Sequence, residues 1–517
     1  MTRWESRNES MPKFPSMQAA PPATMTGRPE VLLRRAARAE TAGNRDEAIR
    51  LYRLILTIDP LDPNVTNALG VALAQNDQLL EAIRQFDDTL RLAPDEPVAW
   101  INRGLALEKT GRMLEAMACF DRVVALRPDH PSGYHARSGI LFHLGRFEEA
   151  LAVHDQIGTM PQNDAGLLTG RATILRTLGR TDEAFQDIER ALSIDRSLPF
   201  VWVDKSTLLL LTGDLAAGFK LFEWRAQLPD MKKFSRSFEQ PLWLGETDIA
   251  GKTILLYSEQ GMGDTIQFCR YAPLAAKAGA RVILQVEPPL REVMTTLPGV
   301  TEILTLGDPL PDFDVQCPMM SLPLAFGTTL DTIPVAVPYL SAAPDRVAVW
   351  RDRLSGLEGR RIGLVWGGSS RFGNASLVST DQRRSVPLTA LAPLAAVPGC
   401  VFVSLQLGPP AAQASAPPAG MVLHDHSAHL TDFAETAALI ENLDLVIGVD
   451  TSTPHLAAAM GKPVWLLNRF DTCWRWLLDR EDTPWYPTMR IFRQPRSGDW
   501  ASVARAVADA LRSGSAP

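Results

Sequence analysis

Six small residues recur at a fixed interval of 34 along the first half of this chain: Ala48, Ala82, Ala116, Ala150, Ala184 and Gly218. Four residues beyond each, one helical turn away, stand Tyr52, Phe86, Phe120, His154, Ile188 and Phe222, most of them bulky and apolar. Gly43, Asp77, Gly111, Gly145, Gly179 and Gly213 fall five residues before each small position, where a reversing helix pair needs a turn residue. Pro60, Pro94 and Pro128 close the first three units, and Pro161 and Pro229 stand one residue early in later ones. A period of this length excludes a single globular core. It marks stacked units, none of which buries its apolar stripe alone.

The pattern resembles the tetratricopeptide repeat, a helical hairpin, over residues 29–232 as six units. The resemblance implies an α-helical superhelix whose concave face holds an extended protein partner; a scaffold with no ligand of its own is the alternative. In protein O-GlcNAc transferases an asparagine two residues before the repeat glycine clamps substrate backbone. The matching positions here read Ala68, Asn102, Ala136, Gly170 and Asp204, so recognition of one particular partner is expected rather than a clamp blind to sequence.

At 517 residues the chain is long enough for about three domains. Its 52 Lys+Arg against 59 Asp+Glu leave a net charge of −7, so there is no global positive field to hold a phosphate backbone, and nucleic acid is not expected as a partner. Cys119, Cys269, Cys317, Cys400 and Cys473 are scattered and odd in number, which speaks against a disulfide framework or zinc knuckle and for a reducing cytoplasm. No apolar run is long enough for a membrane span. The first thirty residues lack the apolar core of a secretory signal, and 1–28, rich in Pro, Ser, Met and charge, reads as a disordered tail.

After a linker at 233–250 the period changes to strand–helix alternation. Strands are expected at KTILLYS (252–258), RVILQVE (281–287) and VTEILTL (300–306), then at RIGLVWG, CVFVSLQLG, MVLHD, LDLVIGVD and KPVWLLN. Two open α/β sheets of similar size follow, one in 251–345 and one in 346–517. The Pro/Ala/Ser-rich 408–420 reads as an exposed flexible excursion. Facing Rossmann-like sheets place ligands beyond the carboxyl ends of their strands, so the chemistry belongs in the loops after strands.

The first such loop runs Ser258-Glu259-Gln260-Gly261-Met262-Gly263-Asp264-Thr265. Gly261 and Gly263 permit close backbone approach, and the helix start they open offers unpaired N–H groups, with Thr265 beside them, to a phosphate or an acceptor. A dinucleotide fingerprint needs a third glycine at 266, which is Ile. Asp264 is open to two roles: a helix cap worth about 1 kcal/mol, or a general base for an attacking hydroxyl. The second loop ends LDLVIGVD at Asp450 and opens a helix through Thr451, Ser452, Thr453, Pro454 and His455. Thr453 suits the N-cap and Pro454 the first helical position. Hydroxyls, free N–H groups and the positive end of a helix dipole converge where a pyrophosphate would be held, with His455 placed to donate to it.

G-M-G-D, RRSVPL at 383–388, FVSLQLG and DFAETAALIENLDLVIGVDTSTPHLAAAMGKPVW together resemble the heptosyltransferase-like glycosyltransferases of the GT-B fold, in the bacterial subgroup with N-terminal tetratricopeptide repeats. The resemblance implies an acceptor domain first, a nucleotide-sugar donor domain second, and inversion by direct displacement with no cofactor and no essential metal. It assigns Asp264 as base and Asp450, Thr451, Ser452 and His455 to the donor phosphates. Arg384 is the basic residue for the pyrophosphate, with Arg383 the second choice. The polar stretch GGSSRFGNASLVSTDQRRS carries no assigned donor contact. Trp474 and Arg475 either pack the C-terminal lobe or lie over a sugar or base. Asp312-Phe313-Asp314 matches a metal-binding D-x-D only by a three-residue motif, and His424, Asp425, His426 and His429 also suit a solvated strand end.

The expectation is a cytoplasmic glycosyltransferase moving a sugar to a protein hydroxyl, with a flagellin-type protein as acceptor by analogy of architecture. The alternatives are a glycolipid or lipopolysaccharide transferase and a non-catalytic repeat scaffold.

Overall fold

The computed structural model describes residues 29–158, 164–231, 236, 238–368 and 375–514. The tail expected over 1–28, the unit-closing Pro161 and part of the 233–250 linker lie outside them. Among the described residues twelve helices follow the repeat period: α1 (Pro29–Thr41) packs with α2 (Arg45–Ile58), α3 (Pro63–Gln75) with α4 (Leu79–Leu92), α5 (Pro97–Lys109) with α6 (Met113–Leu126) and α7 (Pro131–His143) with α8 (Phe147–Gly158); α9 (Ala165–Thr177) and α10 (Thr181–Ile194) come next, and α11 (Pro199–Thr212) packs with α12 (Leu215–Phe222). The six turn positions all adopt left-handed backbone, from φ +56° at Asp77 to +95° at Gly213. Proline opens α3, α5, α7 and α11 at the first turn, where no N–H partner is lost.

The small–large spacing closes the packing. A Cβ on Gly70 would stand 2.5 Å from the Phe86 ring, and one on Gly104 2.5 Å from Phe120, so the ring of one helix fills the notch of its neighbour. A further period recurs in the hydrogen bonds: Trp100 Nε1 donates to Pro94 O (2.8 Å), Tyr134 Oη to Pro128 O (3.3 Å) and Trp202 Nε1 to Arg196 O (2.8 Å). Each ties the start of a hairpin to the connection before it.

Four parallel strands follow, β1 (Thr253–Tyr257), β2 (Arg281–Val286), β3 (Val300–Thr305) and β4 (Val315–Pro318), in the order β3-β2-β1-β4. Between β1 and β2 lie α13 (Met262–Phe268) and α14 (Ala272–Lys277); α15 (Arg291–Met294) precedes β3, and α16 (Leu322–Ala325) and α17 (Pro344–Arg353) follow β4. A second, all-parallel sheet holds β5 (Arg360–Val365), β6 (Cys400–Ser404), β7 (Leu423–Asp425), β8 (Leu445–Val449), β9 (Val464–Asn468) and β10 (Met489–Arg493), in the order β10-β9-β8-β5-β6-β7. Its helices are α18 (Ala375–Arg384), α19 (Ala392–Ala395), α20 (Phe433–Glu441), α21 (Ser452–Ala459) and α22 (Trp500–Arg512). Central strands are apolar on both faces, as Ile254, Leu255 and Leu256 of β1 show, the pattern of a sheet covered on each side.

The sheets are unequal, four strands against six, and each holds one strand more than expected from sequence, β4 in the first and β10 in the second. Asp312-Phe313-Asp314 leads into β4, and Asp314 accepts from Thr253 N (2.7 Å) while its own N–H donates to Thr253 O (2.9 Å); it fastens β4 beside β1. The stretch 408–420 is pinned rather than free. Its helical turn Pro409–Ser415 accepts from Trp366 Nε1 at Pro410 O (3.2 Å) and from Leu388 N at Gln413 Oε1 (2.8 Å).

By internal contacts the chain divides into two compact units, one comprising residues up to Leu178 with Arg371–Ser379, the other Gly179–Ser370 with Thr380–Pro517. The second unit therefore contains the last helices of the array as well as both sheets.

Candidate functional site

In each sheet the strand order reverses at one crevice, beside β1 in the first and between β5 and β8 in the second. Such switch points leave room for a ligand beyond the strand ends. The loop after β1 turns into α13 with Gly261 as N-cap, and Asp264 reaches back so that its Oδ2 accepts from Gly261 N (2.9 Å). Its other oxygen accepts from Arg475 Nη2 at 2.5 Å. Arg475 also donates to Gln267 Oε1 (2.5 Å) and Cys473 Sγ (3.1 Å) and lies 4.3 Å over the Trp474 ring. Burial works against its charge, but Cys473, Asp264 and Asp450 outweigh it and raise its pKa.

Thr265, buried, donates through Oγ1 to Glu287 (3.1 Å), the residue after β2. Burial pushes the Glu287 carboxyl above its ordinary value, against its hydrogen bonds and with help from the Asp264 charge. Gly263 is the point of closest approach to the second loop: a Cβ there would stand 3.2 Å from His455 Cδ2 and 3.5 Å from Ser452 Cα. The two loops singled out in the sequence thus meet.

At that second loop the helix begins earlier than expected. Thr451 is the N-cap and Ser452 the first residue of α21, so Thr453 and Pro454 lie inside the first turn. Proline is tolerated there because the leading N–H groups of a helix have no partner to lose. Thr451 Oγ1 donates to Val449 O (3.3 Å) and caps no helix N–H. The start of α21 is therefore left without a side-chain cap. Asp450 accepts from Arg384 Nη1 at its backbone oxygen (3.0 Å), and its Oδ1 lies 3.7 Å from His455 Nε2. Burial opposes the Asp450 charge, yet His455, Arg384 and Arg469 hold its pKa well below the usual carboxylate range.

Arg384 pairs with Asp381, and its Nε has no hydrogen-bond partner among the described residues. Arg383 turns instead to Asp471, at 3.1 Å. Burial pulls its pKa down, with Asp471 opposing and Arg469 adding. His455 is buried and its Nδ1 lies 2.9 Å from Tyr486 Oη. Trp474 is 7% exposed and packs against Phe219, Phe268 and Trp485. Among the described residues no cluster of three His, Cys, Asp or Glu is placed to hold a metal ion; His426 and His429 each meet the Trp350 ring edge-on.

Arg469 and Arg270 were missed in the sequence, and Tyr486 was read only as part of an aromatic cluster packing the C-terminal lobe. Arg469 follows β9, shares Asp471 with Arg383 at 3.0 Å, and its Nε has no partner among the described residues. Tyr486 holds His455. Arg270, 3% exposed, donates to Trp485 O (2.7 Å) and Tyr339 Oη (2.9 Å) and lies 4.6 Å over the Tyr486 ring. Position after a strand was the available signal for Arg469; nothing in the local pattern marks Arg270.

The described residues thus form helical repeats and two parallel sheets, with an acid after one strand and, after another, a helix start without a side-chain cap beside Arg384. Residues 33–97, 67–131, 101–157 and 165–198 match tetratricopeptide repeat families, and residues 428–467, which include Asp450–His455, match glycosyltransferase family 9 (heptosyltransferase). The chain thus carries tetratricopeptide repeats and a segment that matches family 9 glycosyltransferases, which together support a glycosyltransferase. Protein FlbA of Caulobacter vibrioides is 28% identical over 339 residues, 60% of this chain and 54% of that one, so the match spans about half that relative's length. Among solved structures, a tetratricopeptide-repeat protein of Thermus thermophilus is similar at 18% identity, covering 36% of this chain and 100% of that one with a TM-score of 0.31. Another, from Parabacteroides merdae, has 16% identity, 41% and 81% coverage and a TM-score of 0.33. No described helix is long and apolar enough to cross a membrane.

Proposed function

We propose that this chain is a cytoplasmic, inverting glycosyltransferase of GT-B architecture that moves a sugar from a nucleotide-activated donor to a hydroxyl of a protein held by the repeats. The observation that carries the reading is the approach of Gly263, the residue before Asp264, to Ser452 and His455 of α21. The loop that bears the acid therefore lies against an anion-seeking helix start. Asp264 takes the proton of the attacking hydroxyl as its oxygen bonds to the anomeric carbon and the bond to the diphosphate breaks. The uncapped N–H groups of α21, Thr451, Ser452 and Thr453, with Arg384, neutralise the departing diphosphate. The unpartnered Nε groups of Arg384 and Arg469 support this reading, because buried guanidinium donors without acceptors favour a bound anion. These cations supply the charge that a metal supplies in other transferases. A flagellin-type protein is the acceptor we favour, by analogy of architecture.

The test is incubation of the full-length protein with a panel of labelled nucleotide sugars and lysate of an unglycosylated host strain. Label transferred to protein by the wild type and not by Asp264→Asn is expected; the absence of both hydrolysis and transfer with every donor would reject the proposal.

A further inference from the structure

Arg225 stands on the helical turn Glu223–Gln227 directly after α12 and is 3% exposed. Its guanidinium is divided between two acids. Nε donates to Glu259 Oε1 at 2.6 Å and Nη2 to Glu259 Oε2 at 3.2 Å, while Nη1 donates to Glu223 Oε1 at 2.6 Å and to Phe222 O at 3.3 Å. Nη2 also donates to Ser321 Oγ (2.7 Å), and that hydroxyl donates on to Glu223 (2.9 Å). Burial disfavours the charge, but the carboxylates of Glu259 and Glu223 more than offset it and raise its pKa. Every N–H direction of the fork that meets Glu259 or Glu223 is thus matched by an oxygen, which a lysine could not reproduce.

Glu259 is the second residue of the loop that leads to Asp264. Ser258 N is held by Gln285 O (3.0 Å) before it, and Gly261 N by Asp264 after it. The bidentate grip of Arg225 fixes the chain between these two anchors. From the other side Arg475 holds Asp264 itself. We infer that Arg225 is a positioning residue for Asp264, acting through Glu259, so that the turn closing the last repeat is part of the framework of the site. The word positioning rests on the proposed role of Asp264; the geometry of the clamp does not.

The test is backbone hydrogen exchange in the full chain, followed at Gly261, Asp264 and Thr265, for wild type, Arg225→Lys, Arg225→Met and Glu259→Gln. Lysine keeps the charge and loses the fork, so Arg225→Lys is expected to melt well above Arg225→Met yet to exchange these amides about tenfold faster than wild type, with residues 445–468 unchanged. Glu259→Gln, which keeps the side-chain shape, is expected to do the same if the arginine variants do not fold. Wild-type exchange at the three amides in Arg225→Lys and Glu259→Gln would overturn the inference, as would an equal acceleration over 445–468, which would make the role merely structural. Melting of the wild type in the presence of UDP and other nucleoside diphosphates reports separately on the proposed function: no stabilisation there, with the exchange result as expected, removes the transferase reading and leaves the clamp.

Discussion

The surface of the helical unit ending at Leu178 and the buried interior of the unit that carries the site use charge in opposite ways. In the first, arginines pair with glutamates one turn away on the surface, as Arg112 does with Glu115 and Arg146 with Glu149, all with side chains 42–58% exposed. Such pairs contribute little. The unit is held by apolar fit, Phe86 against Gly70 and Phe120 against Gly104. In the second, Arg225, Arg270 and Arg475 are buried at 3%, 3% and 8% exposure and hold loop to loop. Buried charge is costly unless each donor finds its acceptor, and here the cost is borne where geometry has to be fixed. Periodic packing builds an array; aperiodic buried charge shapes a site.

The comparison is sharpened most by removing apolar fit from the array. Phe120→Ala is expected to cost about 4 kcal/mol, read by loss of helical circular dichroism in urea. Next, Arg475→Met strands the Asp264 carboxylate and Gln267 Oε1, and is expected to cost about 3 kcal/mol, whereas Arg146→Met leaves the unfolding midpoint unchanged. Tryptophan fluorescence separates the two, since ten of the twelve tryptophans lie beyond Leu178, Trp4 and Trp100 being the others. An Arg146 effect as large as that of Arg475 would break the contrast.

Acid supplies the third case. The folded-state pKa of Asp450 is depressed below the ordinary 3.8, so its contribution is fully present above that value and is lost as the pH falls below it. The wild type is expected to lose stability there by up to about 1.4 kcal/mol per pH unit more than Asp450→Asn, measured by urea midpoints between pH 5 and pH 2.5. Equal slopes would mean the surrounding cations do not stabilise that carboxylate. The smallest effect belongs to Gly263→Ala, about 1 kcal/mol for displacing His455 or Ser452, with the larger consequence expected in nucleotide binding than in stability.

What could be read from the sequence follows the same division. All six turn positions and the buried small and large positions were legible because each recurs; that Phe86 and Phe120 pack against Gly70 and Gly104 of the preceding helices was not. The two loops of the site were legible because they follow strongly apolar strands and open helices. β4 and β10 were not: VQCP is short and follows a D-x-D, and MRIFR is hidden behind the aromatic run Trp474–Tyr486. The start of α21 was placed two residues late, because a serine or threonine at 451, 452 or 453 satisfies the same capping rule and only the backbone decides. Arg475 meets Asp264 across 211 residues, and no local spacing reports such a pairing. For Arg475 the sequence left packing of the C-terminal lobe and contact with a sugar or base both open, because aromatic neighbours suit either; in the fold it holds the Asp264 carboxylate.

The central claim is that the start of α21, with Arg384, binds the phosphates of a nucleotide sugar. The most direct measurement is thermal melting of the full chain against nucleoside diphosphates and nucleotide sugars, because a ligand bound only by the folded state stabilises it by about 2.7 kcal/mol at a hundredfold excess over Kd. A rise in the melting midpoint with one nucleotide family, absent in an Arg384→Ala variant that still melts cooperatively, is the predicted result. Stabilisation by none of them, or an equal rise in Arg384→Ala, would contradict it.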